Sequence, residues 1–177
     1  MIGRDGIAVR LLHACVEVIT SEDELTQVDA AGGPAMVEVV SAVSSAVAAC
    51  NGDILDLFDD AARAVSRLDV SGGTVEFWDA WLEGLAEGAP GDDEMDLDQF
   101  RAMLALGRDE VSRSLGTGLG DAAALDVVAA ACSAADMSED EPEVFDDAAD
   151  AAERASDGSA SVAALSAARF LRGLAQA

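Results

Sequence analysis

The chain of 177 residues contains no lysine and no tyrosine, and all ten of its basic residues are arginine. Its 35 acidic residues give a formal net charge of −25. A charge of this size and sign is repelled by a phosphate backbone and by an anionic membrane surface, which argues against a nucleic-acid partner and a membrane partner. The acidity has two open explanations: a salt-rich cytoplasm, where charge is screened, or a GC-rich genome.

Cysteine and histidine are also scarce. Cys15, Cys50 and Cys132 are too far apart for a Cys-x-x-Cys pair and each lies in an apolar stretch, so we expect buried, unreactive thiols. The single histidine, His13, makes a zinc site of the Cys/His type very improbable. The N-terminus lacks the apolar core of a signal peptide and no run reaches about 18 apolar residues, so the sequence predicts a cytoplasmic protein.

Alternating strand patterns are missing, whereas good helix formers and apolar residues at steps of three or four recur throughout. The sequence therefore predicts an all-α fold: one domain over residues 1–177, built as an eight-helix antiparallel up-and-down barrel or bundle with no sheet. Residues 21–33 are predicted to be a polar loop, and residues 88–96 a solvated acidic loop rather than a calcium site. The predicted helices cover about 4–21, 34–50, 53–68, 73–87, 97–115, 121–135, 140–155 and 160–174.

Two glycine-rich breaks separate predicted helices, and the second runs from Gly116 to Gly120, directly before Asp121. Glycine lets backbone N–H groups approach a phosphate, and a following helix start adds positive potential. However, the break is not followed by a lysine and then a Ser or Thr, so it is not a P-loop. Taken alone, it is typical of helix termination.

Five segments, met in order along the chain, resemble the motifs of the L subunit of dihydroxyacetone kinase. They are Leu25-Thr26-Gln27-Val28-Asp29-Ala30-Ala31-Gly32, Ser71-Gly72-Gly73-Thr74, Gly120-Asp121-Ala122-Ala123-Ala124-Leu125-Asp126, Arg154-Ala155-Ser156 and Asp157-Gly158-Ser159-Ala160. The resemblance implies an eight-helix antiparallel barrel that holds a nucleotide and two magnesium ions at one end. It also implies phosphoryl transfer to dihydroxyacetone that is held by a separate K subunit.

Carried over residue by residue, the resemblance assigns one metal ligand, Asp29, of the family's three. The other two aspartates fall at Pro34 and Met36, and the family's histidine falls at Val37. Proline and methionine offer no oxygen ligand to a hard cation. The nucleotide-binding positions that match are Gly72, Gly73, Thr74, Gly118, Gly120, Asp121 and Arg154.

Further departures affect the same nucleotide end. Glu76 adds negative charge where phosphates are expected, and three alanines from Ala122 to Ala124 replace the family's Lys-Thr-Met. The loop that covers the nucleotide in the family is missing, because Ser156 joins Asp157 directly. We expect Glu76, Asp121 and Asp157 to lie near one another, and Asp29 to cap backbone N–H groups of the loop that follows it.

The leading hypothesis is a pseudo-enzyme of the L-subunit type, with no catalytic residue and no cofactor, that acts through contacts with a K-type subunit or a regulator. The alternative is an active phosphotransferase subunit that binds magnesium and ADP or ATP and draws its missing ligands from Glu22, Asp23 and Glu24. An unrelated helical bundle, or a carrier with an apolar interior, is also left open by the sequence.

Overall fold

The computed structural model describes residues 1–70, 72–118 and 121–176, apart from the side chains of residues 141 and 142. Within these ranges the chain is almost entirely helical, which confirms the predicted all-α class. The elements in chain order are β1 Ile2–Gly3, α1 Arg4–Thr20, α2 Glu22–Val28, α3 Gly32–Ala49, α4 Ile54–Ser66, α5 Gly73–Gly88, β2 Glu94–Met95, α6 Leu97–Gly116, α7 Ala122–Met137, α8 Glu141–Ser156 and α9 Val162–Ala175.

Two details of the prediction are wrong. The segment predicted as a polar loop contains the short helix α2, because the side chain of Leu25 is fully buried and three acids fall in the positive first turn. The prediction of no sheet also fails, since β1 and β2 form a two-residue antiparallel pair with Ile2 opposite Met95. Strands this short leave no readable alternation in the sequence.

Aspartate side chains start several of the helices. Asp53 accepts a hydrogen bond from the N–H of Asp56, and Asp121 accepts one from Ala124, at the two residues where the sequence predicts helices to begin. Asp96 begins α6 with a complete capping box, in which Gln99 accepts a return hydrogen bond from the N–H of Asp96. These caps satisfy backbone donors that have no partner within the helix.

Consecutive long helices pack against each other, and α1 packs against α9. The pairing of α5 with α6 is antiparallel: a methyl group on Gly84 would touch Gly107, and one on Gly88 would touch Met103. The pairing of α6 with α7 has the same sense, since Arg101 donates to the carbonyl of Ala135 near the opposite helix end. The close glycine contacts explain why α5 and α6 share the most extensive helix pairing in the fold.

The two ends of the bundle are defined by contacts between termini. The side chain of Arg4, at the start of α1, donates to the carbonyls of Cys50 and Gly52, which follow the end of α3. The loop between α5 and α6 reaches the same end, because the carbonyl of Asp93 accepts from the N–H of Arg4 and that of Asp92 from Ile54. The starts of α1 and α4 therefore lie at one end of the molecule, together with the end of α3.

Helix α9 forms the centre of the core. None of its residues is exposed, and it contacts α1, α8, α7, α5, α3 and α2. The rings of Trp78 and Phe170 meet edge to face with centroids 5.0 Å apart, and Trp81 completes the cluster at 5.1 Å from Trp78. Aromatic side chains thus fill the centre of the core.

The cysteines occupy the places expected of them. All three are free and buried. Burial raises the pKa of the Cys15 thiol to about 12, and that of Cys132 to about 11 despite the attraction of Arg108. Both thiols are therefore protonated and unreactive at neutral pH.

One described helix, α3, has the length and apolar composition of a membrane-crossing segment. Its inward residues, among them Met36, Val39, Val40 and Val43, are fully buried against the rest of the fold. A core helix of a water-soluble protein meets the same two criteria, so the observation by itself is weak evidence for a membrane span.

Candidate functional site

The starts of α3, α7 and α9 meet at the end of the bundle opposite the start of α1. The hydroxyl of Ser161 donates to Oδ2 of Asp121 over 2.7 Å, which joins the starts of α9 and α7. A methyl group on Gly32, at the start of α3, would lie 3.0 Å from Cγ2 of Val162 and 2.8 Å from Oδ2 of Asp29. Three positive helix ends are therefore gathered around Asp29, Asp121 and Ser161.

Asp121 is engaged on both of its carboxylate oxygens. Its Oδ1 accepts from the N–H of Ala124 at 2.9 Å, and its Oδ2 accepts from Ser161. Ser161 is itself a cap, because its oxygen accepts from the N–H of Ala164 at 3.0 Å. The carboxylate supplies the negative charge that these helix starts favour, and each of its oxygens accepts a hydrogen bond within the fold.

Asp29 performs the backbone role that the sequence predicted for it. It is exposed at the end of α2, and its Oδ1 accepts from the N–H of Ala31 at 3.0 Å. Gly32 follows in a tight position, where an added methyl group would press on the carboxylate of Asp29 and on Val162. The motif glycine and aspartate are explained here by the turn that leads into α3.

The residues at the remaining metal-ligand positions do not fit a pair of magnesium ions. Met36 is fully buried in the core, Val37 is half-buried, and Pro34 is exposed without an oxygen donor in its side chain. Across residues 1–70, 72–118 and 121–176 there is no group of three or more His, Cys, Asp or Glu side chains that could hold a metal ion. Two magnesium ions need several oxygen ligands, and Asp29 supplies one carboxylate.

Glu24, one of the three acids proposed as substitute ligands, lines a groove along α9. Glu24 accepts from Arg169, with 3.0 Å between Oε2 and Nη2, and Arg169 also pairs with Glu153 at 3.6 Å. The groove is lined by Glu24, Glu153, Ser156, Asp157, Gly158, Leu165, Ala168 and Arg169. The charge of Glu24 is therefore already balanced by an arginine on α9.

The glycine positions of the candidate nucleotide site lie at helix ends. Gly72 precedes α5 with φ of +140°, and Gly118 follows α6 with φ of +83°, so both adopt backbone conformations that favour glycine. Thr74 is half-buried in the first turn of α5, and Arg154 is exposed in the last turn of α8. Gly120 lies outside the described residues, as does Ser71 of the same motif set.

Glu76, Asp121 and Asp157 were expected to share one site, and that proximity stays a prediction. Glu76 lines a groove between α5 and α6, together with Asp79, Glu83, Glu110 and Arg113. Asp157 lines the groove beside α9. Partial burial raises the pKa of Asp79 above its ordinary value, because the charged form loses hydration in the α5–α6 groove.

Arg172 organises the acidic residues where α8 packs on α9. Its guanidinium bonds Asp150 and Glu153, with 2.7 Å between Nη2 and Oε2 of Glu153, and it lies 3.7 Å from Asp146. The hydrogen bond from Arg172 lowers the pKa of Glu153, and the same guanidinium lowers that of Asp150. The half-buried Arg172 thus pairs with three acids of the neighbouring helix.

Sequence reasoning missed Ser161 and Arg169 as members of this end of the molecule. Ser161 stands directly before the apolar run Val162–Leu165, which is an N-cap signature that could have placed it. Its partnership with Asp121, 40 residues away, has no local signal. The pairing of Arg169 with Glu24 spans 145 residues and depends on how α9 docks beside α2.

No family model matches this chain, and no curated protein matches it.

Proposed function

We propose that the chain is a non-catalytic protein with a scaffold like that of the dihydroxyacetone kinase L subunit, and that it acts through contacts with other proteins, a K-type subunit or a regulator. The motif resemblance is the reason for choosing this family, and the antiparallel order of the helices is compatible with the family's barrel. The observation that carries the proposal is the placement of Met36, at a metal-ligand position, in the fully buried core.

The polar groups at the three helix starts support the same proposal. Both oxygens of Asp121, one oxygen of Asp29 and the hydroxyl of Ser161 are engaged with the fold's own backbone and side chains. A nucleotide phosphate that entered here would compete with carboxylates already bound to these helix starts. In the absence of a metal ion, phosphate and carboxylate repel each other.

The test is a calorimetric titration of magnesium-ADP into the protein at low and high potassium chloride, beside an active L subunit as the positive control. We expect no binding in the micromolar range at either salt concentration. A parallel assay supplies magnesium-ATP as the phosphoryl donor together with a K-type subunit and dihydroxyacetone, and it measures phosphoryl transfer, which we expect to be absent.

Asp29→Asn sharpens the result, because Asn retains an oxygen that can accept from Ala31. We expect this variant to keep its stability and to bind the same proteins as the parent chain. Micromolar binding of magnesium-ADP that Asp29→Asn abolishes would overturn the proposal and establish the active phosphotransferase subunit instead.

A further inference from the structure

The outer side of α1 carries an apolar stripe that no other described element covers. Val9, Val16 and Ile19 are among the exposed large apolar residues, with 48%, 55% and 36% of their surfaces accessible, and Leu12 is half-buried between them. Their spacing of three, four and three residues aligns them on one side of the helix. This is the spacing of a seam that packs against another helix.

The stripe lies on the flank of α1 that is turned away from α9. Arg10 donates to the carbonyl of Leu174, and Ala14 touches Gly173, so these two residues mark the flank that faces α9. The four stripe residues lie about 100–180° around the helix axis from these two residues. Helix α3 also packs on α1. The stripe and the outer side of α3 therefore adjoin, and we name them together the α1–α3 face.

The α1–α3 face is poor in charge on a chain that is otherwise strongly acidic. Helices α1 and α3, with 17 and 18 residues, hold three of the 35 acids: Asp5, Glu17 and Glu38. The other exposed positions of α3 are small and uncharged, among them Pro34, Ser41, Ser45 and Ala48. This face therefore places fewer like charges opposite each other than the acid-rich helices α4, α5 and α8 would.

We propose that the α1–α3 face binds the same face of a second copy of the chain in a symmetric homodimer. Its size is sufficient: the two helices are about 26 Å long, and a face two helices wide offers on the order of 500 Å² per copy. Two copies then bury about 1,000 Å², the lower limit for a specific interface. The inference depends only on this face and not on the proposed family.

The chemistry of the face favours a second copy over a membrane. A surface that lies in lipid is anchored by basic and interfacial aromatic residues, whereas the exposed residues of α1 and α3 include no Trp and no Lys, and Arg4 bonds backbone carbonyls at the end of α3. Each copy brings a formal net charge of −25 to the dimer, so the two chains repel each other in dilute salt. Salt screens their repulsion, so the dimer strengthens as ionic strength rises.

The test measures molar mass by light scattering at several potassium chloride concentrations, with the 18.0 kDa chain as the monomer. We expect a mass that rises toward twice this value with salt and protein concentration. Val16→Glu should raise the dissociation constant of the dimer about tenfold or more, while Met137→Glu, at a residue 77% exposed on α7, leaves it unchanged. Circular dichroism is the folding control. We expect it to show that both variants are folded, because both substitutions are at exposed positions.

Three results would overturn the proposal. The first is a parent chain that stays monomeric at about 100 µM and high salt, and the second is a dimer that both substitutions weaken equally. The third is flotation of the parent chain with vesicles of neutral phosphatidylcholine that Val16→Glu prevents, which would assign the face to lipid.

Discussion

The hydroxyl of Ser161 donates to the carboxylate of Asp121 across 40 residues of sequence, and each of the two residues also caps its own helix. The pair therefore fixes the starts of α7 and α9 relative to each other. Because each side chain serves a cap and a tertiary contact at once, their energetic effects should not be independent.

We predict that Asp121→Ala lowers the free energy of unfolding by about 1–3 kcal/mol, since it removes a cap and the acceptor of Ser161. Chemical denaturation of Asp121→Ala, Ser161→Ala and the double variant gives their coupling. The matched control is Asp126→Ala, at an exposed position in the interior of α7. Strictly additive effects would show that the bond between the two side chains contributes nothing.

The buried indole of Trp78 provides a second test. Its Nε1 donates to the hydroxyl of Ser166 at 3.0 Å, and that hydroxyl donates to the carbonyl of Ala163. Ser166→Ala leaves the N–H of Trp78 buried without a partner, so we expect a loss of about 1–3 kcal/mol in the free energy of unfolding. Ser133→Ala, at an exposed helical serine, should change it by less than about 0.5 kcal/mol. Equal effects of both would contradict this reasoning.

Gly173 is required by the close approach of α9 to α1. A methyl group at this position would lie 2.4 Å from the Cα of Ala14, which is backbone and cannot rotate away. Gly173→Ala should therefore destabilise the fold by about 1–3 kcal/mol, even though alanine favours the helix. At Gly116 the same methyl group meets no atom within 4 Å, so Gly116→Ala should be neutral or slightly stabilising in thermal unfolding. If Gly173→Ala did not change the free energy of unfolding, α1 and α9 could move apart without a loss of stability.

Glu153 makes stability depend on acid pH. Arg172 lowers the pKa of Glu153 in the folded state, so the contribution is complete above the ordinary glutamate pKa. It is lost as the pH falls through the lowered folded-state value. Because the side chain is about a third exposed, we expect the contribution to be about 0.5–1 kcal/mol.

The measurement compares the parent chain with Glu153→Gln by urea denaturation between neutral pH and about pH 3. The difference in unfolding free energy should be largest at neutral pH and shrink on acidification. Glu143→Gln, exposed on the same helix, is the control for the loss of one charge from a strongly acidic chain. If the difference in unfolding free energy between the two proteins did not change with pH, Glu153 would not contribute to the loss of stability in acid.

The long helices were predictable because their signals are local. Asp53 and Asp121 are N-cap residues that mark helix starts, and the apolar residues of α6 recur at helical spacing within that segment. The helix α2 was missed because one buried side chain, Leu25, holds it rather than a repeating pattern. A single apolar position has no period, and its burial is decided by α3 and α9 packing over it.

The candidate site was predictable only in part, for a related reason. The sequence identified Asp29 and Asp121 by their motif positions, and the turn role of Asp29 followed from its residue type. The side-chain partner of Asp121 is Ser161, directly before α9, and Val162 of α9 borders Gly32. No local pattern places either residue there. Which side chains border the three helix starts therefore depends on how the helices pack together, and no single segment of sequence determines it.

The central position of α9 sets the order in which the fold can be completed. The contact of Arg10 with the carbonyl of Leu174 spans 164 residues, so α1 waits for the last of the described helices to be synthesised. Until then Trp78 and Trp81 lack their ring partner Phe170 and present apolar surface to water. A ribosome-bound chain that ends before Val162 should therefore be a substrate for holding chaperones, and folding should close late through contacts of high sequence separation.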